Sequence, residues 1–139
     1  AIHGIYSNDT DNFIQDALFR FEKTGYTFRV IHTHVPGGPS SKGLDEFALY
    51  LRITFMPNVA IFLGGDMNQD ISATLAVFNK VFESDCPFIN VQTYPTYLDK
   101  CGSFVSYDQI YCFIPDNEDV SVFAENPEKI DKTLIFLTK

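Results

Sequence analysis

The sequence predicts an α/β domain built on a doubly wound, mostly parallel sheet in a flavodoxin-like order, with helices on both faces and an antiparallel edge at the carboxyl end. Three observations predict it. Over the first two thirds of the chain, apolar runs of strand length alternate with apolar stripes at helical period. The run Val59-Ala60-Ile61-Phe62-Leu63 is continuous, as in a strand covered on both faces. It then breaks into Gly64-Gly65-Asp66 just before a helical pattern, the place where open α/β sheets put their ligands.

The elements follow in order. Residues 2–6 are short and apolar, and Ser7-Asn8-Asp9-Thr10-Asp11 after them is rich in helix-capping types, so a strand and a loop are expected. Phe13, Ile14, Ala17, Leu18 and Phe21 make one stripe at helical period, predicting a helix that Gly25 ends. Residues 27–35 are β-branched and aromatic, which predicts the second strand. Two prolines and three glycines in the eight residues 36–43 then exclude regular structure. Leu44, Phe47, Ala48 and Leu51 predict the second helix, and Met56-Pro57-Asn58 turns the chain into the central strand. Ile71, Leu75, Phe78, Val81 and Phe82 predict a third helix, and residues 87–91 a fourth strand. Residues 94–108 read as a polar, aromatic excursion, whereas 110–114, 120–124 and 133–138 read as strands of an antiparallel edge.

With 139 residues and 45% hydrophobic composition, one domain spanning 1–139 is expected. No stretch approaches the roughly 20 apolar residues of a membrane span, so no membrane partner is expected. A formal charge of −8 without any Lys/Arg cluster argues against a nucleic-acid partner. Cys86, Cys101 and Cys112 fit neither a disulfide framework nor a Cys-x-x-Cys pair, which points to a reducing cytoplasm.

In such a sheet the loops after the strands share one rim, and the candidate site is assembled there. Ser7 and Asp9 come from the first loop, His34 from the end of the second strand, and Gly65, Asp66, Asn68 and Asp70 from the loop after the central strand. These side chains suit hydroxyls and ring nitrogens. The first loop lacks the glycines of a phosphate cradle, and neither Gly-x-Gly-x-x-Gly nor Gly-x4-Gly-Lys-Ser/Thr occurs. His32-Thr33-His34 has a spacing that metal sites use, but no third ligand is evident, so no metal and no cofactor are expected. Tyr94, Tyr97, Phe104 and Tyr107 have the composition of an interface, which keeps a homo-oligomer or a protein partner open.

The central strand and its acidic, glycine-containing loop resemble those of the nucleoside 2-deoxyribosyltransferase family, whose members bind a nucleoside at the rim of the sheet. Asp70-Ile71-Ser72-Ala73-Thr74-Leu75-Ala76 aligns with that family's Asp-x-Gly-Thr-x-x-Glu run, with Asp70 matched and Ala76 in the place of the glutamate nucleophile. Flavodoxin is similar in length, acidity and Ser/Thr-rich first loop, but a flavin-phosphate run is replaced by Thr10-Asp11-Asn12-Phe13. The resemblance implies a domain that binds a nucleoside- or nucleotide-like small molecule, a degenerate N-glycosyl transferase. The alternatives are an active enzyme of that kind, and an interaction module using the acidic surface and the edge strands.

Overall fold

The computed structural model describes residues 2–10, 13–37, 42–91, 95, 97–98 and 100–116, and of residues 2–10 the backbone. The elements run β1 (Ile2–Thr10), β2 (Ile14–Phe21), β3 (Thr27–His34), α1 (Gly43–Ile53), β4 (Ala60–Asp66), α2 (Ile71–Val81), β5 (Ile89–Asn90), β6 (Tyr97–Leu98), β7 (Phe104–Val105) and β8 (Asp108–Phe113). Six strands form one sheet in the order β1-β2-β3-β4-β8-β5, and β6 and β7 form a separate small hairpin. Among the described residues only β3 and β4 pair in parallel, and the other pairings in the sheet are antiparallel. The sheet is therefore mixed and mostly antiparallel, which corrects the doubly wound, flavodoxin-like expectation.

The correction begins at residues 13–21, where the expected helix is strand β2. The structural period there is two: Ile14, Asp16 and Leu18 point inward while Gln15 and Arg20 are exposed. The alternation is hidden in the sequence because its central inward position is an aspartate. Asp16 is buried against Arg29 of β3, whose Nε donates to Oδ1 at 2.7 Å and whose Nη2 donates to Oδ2. With β2 extended, the chain before it pairs along its length, so residues 7–10 belong to β1 and not to a loop. Gly25, at φ +67°, sits in the β2–β3 hairpin, where its N–H donates to Phe21 O at 2.9 Å.

Between β3 and β5 the expected order holds. Leu44, Phe47, Ala48 and Leu51 are the buried stripe of α1, and α2 contributes Thr74 and Phe78. Both helices lie on one face of the sheet, where Phe47, Phe78 and Tyr111 pack as tilted rings with centroids 6.2 and 5.3 Å apart, over Ile31, Ile61 and Leu63. Among the described residues no helix covers the other face, which carries an aromatic row: Phe19 and Phe28 at 5.4 Å, Phe28 and Phe62 at 6.4 Å. The last strand described, β8, enters between β4 and β5 and so lies inside the sheet, not at an edge. The strands expected at 120–124 and 133–138 lie outside the described residues.

Candidate active site at the end of the parallel pair

Because β3 and β4 are parallel, both carry their last residues to the same end of the sheet, and their register pairs His34 with Asp66. His34 Nε2 lies 3.6 Å from Asp66 Oδ2, with the imidazole well exposed (70%) and the carboxylate half-buried (32%). Asp108, the first residue of β8, is the register partner of Asp66 on its other side. His34, Asp66 and Asp108 thus form one row across three strands, on one face of the sheet.

The loop after β4 is fixed by its own backbone demands. Gly65 has φ +140°, and a Cβ there would sit 1.7 Å from Thr33 O, so no other residue fits. Asp66 Oδ1 accepts the N–H of Asn68 at 2.9 Å, a local turn of the kind aspartate favours. Asn68 takes φ +51°, a conformation asparagine tolerates, and its Nδ2 donates to Val35 O. Val35 N–H donates in turn to Asp66 O at 2.8 Å, and Met67 is fully buried. Asp66 is held against β3 by its main-chain bond to Val35, and Asn68 by its side-chain amide.

The other expected site residues sit apart. Asp70 is the N-cap residue of α2, its carbonyl accepting Thr74 N–H at 3.0 Å and its Oδ1 accepting Ser106 N–H at 3.2 Å. Asp9 lies on β1 opposite Gln15, which is opposite His32, one row inward from His34. Ser7 lies a further row inward, opposite Ala17. His32 Nδ1 is 3.3 Å from Gln15 Oε1, and among the described residues no three His, Cys, Asp or Glu side chains come together as a metal site. Burial pushes the Cys86 and Cys112 thiols up, away from nucleophilic thiolate character.

Asp108 is the residue that sequence reasoning missed. Its signal was weak: it opens a strand-like run, but its placement beside Asp66 depends on β8 entering next to β4.

No family model matches the chain, and no curated protein matches it. Solved structures do. A mannosyl-6-phosphatase of Bacteroides thetaiotaomicron superposes with a TM-score of 0.58 at 15% identity, covering 81% of this chain and 53% of that one. TDP2 of D. rerio, complexed with a single strand DNA product, gives 0.61 at 13% identity over 84% and 55%. The human Nocturnin catalytic domain with bound sulfate gives 0.57 at 13% over 80% and 48%. The fold is that of endonuclease/exonuclease/phosphatase proteins, and the chain spans about half the length of the solved structures it matches.

These neighbours overturn the resemblance to nucleoside 2-deoxyribosyltransferases, and with it the expected role as a nucleoside-binding, degenerate glycosyl transferase. The local reason is visible in α2: Asp70 stands at the N-cap position with its carboxylate turned to Ser106 N–H, and Ala76 is exposed on the helix. The exclusion of nucleic acid is corrected as well, since a protein of this fold was solved with a DNA product. Among the described residues no helix is long and apolar enough to cross a membrane.

Proposed function

We propose that the chain belongs to a hydrolase of phosphate esters, with residues 1–139 acting as one α/β unit within it. The observation that carries this reading is the His34–Asp66 pair, open to solvent at the end of the parallel strands, in a fold whose solved examples include a phosphatase and a protein holding a DNA product. A phosphate ester is the chemistry those two have in common.

The site residues then take the following roles. Asp66 accepts a proton from the attacking water as its oxygen bonds to phosphorus, and the ester P–O bond breaks. His34, 3.6 Å from Asp66, acts as the imidazolium: it gives a proton to the departing oxygen and becomes neutral, and the proton that Asp66 has taken from water returns the pair to its starting state. Asn68, locked to Val35 O, fixes the turn that aims Asp66, and Gly65 makes that turn possible. Asp108 adds a second carboxylate beside Asp66. Asp9 lies on β1, separated from the pair by β2, and is assigned no role in the reaction. Ser7 and Asp70 are assigned no contact with substrate; the Asp70 carboxylate holds Ser106 N–H. Nucleic acid enters as one substrate class, a sugar phosphate as another.

The test uses the full-length protein with p-nitrophenyl phosphate and bis(p-nitrophenyl) phosphate. Wild type releases nitrophenol from at least one of them, and Asp66→Asn and His34→Gln each lower kcat by roughly 100-fold or more, as expected for lost proton transfer. A folded Asp66→Asn protein with wild-type turnover contradicts the reading.

A further inference from the structure

The loop that carries Asp66 and Asn68 is tied to β3 on one side, and on its other side it meets the segment leading into β8. Met67 N–H donates to Tyr107 O at 2.7 Å, and Ser106 N–H donates to Asp70 Oδ1 at 3.2 Å. Between these two contacts lies Gln109, 1% exposed. Its Nε2 donates both hydrogens, to Gln69 O at 2.6 Å and to Ser106 O at 2.6 Å, and its Oε1 accepts the hydroxyl of Tyr111.

A buried primary amide is retained in a core only where its donors and acceptor are satisfied, and Gln109 meets that condition with groups from both segments. Its register partner is Gly65, which has no side chain. Gln109 is sealed from solvent on the helix side of the sheet, whereas His34 and Asp66 occupy the other face, so it reaches no substrate. A substitution that keeps its volume but removes its donors leaves two carbonyls, Gln69 O and Ser106 O, without this partner, and frees one side of the loop.

The geometry points to Gln109 as a positioning residue: by joining Gln69 to Ser106 it holds the loop that aims Asp66 and Asn68. This rests on the hydrolytic reading of that site. The test compares Gln109→Met with Thr54→Val, which removes a hydroxyl bonded to Arg29 and Tyr50 at the far end of α1. Gln109→Met lowers kcat about 10- to 100-fold, the scale of misplaced catalytic groups, with KM within about threefold of wild type. In hydrogen exchange, the Met67 and Asn68 amides of Gln109→Met exchange about tenfold faster, a local opening. Thr54→Val lowers the melting temperature and changes neither quantity.

The inference is overturned if Gln109→Met turns over like wild type, or if Thr54→Val shows the same loss. If wild type hydrolyses neither nitrophenyl substrate, the hydrolytic reading fails separately. The exchange measurement then decides the clamp: unaltered protection at Met67 and Asn68 overturns it, and faster exchange confined to the loop supports it.

Discussion

At the scale of single residues, the environment of Tyr111 makes a definite demand on pH. Its ring is fully buried among Phe78 and the strands, and its hydroxyl donates to Gln109. Burial pushes the phenol's pKa well above its ordinary value, against hydrogen bonds to Thr74 and Asn90 that lower it. In the unfolded chain the phenol ionises near its ordinary pKa of about 10. Above that pH the unfolded state binds fewer protons than the folded one, so stability falls as pH rises. The contribution is complete below about pH 10 and is lost progressively above it. Melting curves at pH 8 and pH 11 should show Tyr111→Phe less stable than wild type at the lower pH, because Gln109 Oε1 loses its donor, yet less sensitive to the rise. Parallel losses in the two proteins would contradict the assignment.

At the scale of elements, β2 is the place where sequence and structure part, and one ion pair explains why. Asp16 on β2 and Arg29 on β3 are both buried, and the network reaches α1 through Tyr50, whose hydroxyl donates to Asp16 Oδ2 at 2.6 Å. Arg29 Nη1 and Nη2 close the helix end by donating to Thr54 O and Oγ1, each at 2.7 Å. Three elements are joined by groups that apolar periodicity counts as surface. Arg29→Met should cost about 3 to 5 kcal/mol, because it strands a buried carboxylate. Adding Asp16→Leu should restore most of that loss, as apolar replacements of whole buried pairs often do. Urea unfolding of the two variants measures both; a double variant as unstable as Arg29→Met refutes the account of the network.

Elements whose inward positions are apolar were legible without coordinates. Leu44, Phe47, Ala48 and Leu51 mark α1, and the continuous run before Gly64 marks β4. The site was half legible for the same reason. Gly65, Asp66 and Asn68 follow a strand whose end is evident, and His34 ends the neighbouring one. Asp108 and Gln109 were not legible, because an antiparallel return between β4 and β5 leaves no local mark in the chain. Ser7 and Asp9 were drawn toward the site by an expected loop that the β1–β2 pairing replaces with strand.

At the scale of the whole molecule, the helices cover one face of the sheet, and the other carries Phe19, Phe28 and Phe62 toward one end and the His34–Asp66 pair at the opposite end. A chain that spans about half the length of its solved neighbours shares their fold, with the His34–Asp66 pair at the end of the parallel β3–β4 junction. The formal charge of −8 does not argue against an anionic substrate at that end, since a site depends on local groups and not on the sum. Where the new oxygen goes is the most direct measurement of hydrolysis at phosphorus. The full-length protein is run on bis(p-nitrophenyl) phosphate and p-nitrophenyl phosphate in water enriched in oxygen-18, with products analysed by mass spectrometry. Water attack on phosphorus places one labelled oxygen in each phosphoryl product and none in the nitrophenol. Label in the nitrophenol, or no labelled product from either ester, would contradict the proposed chemistry.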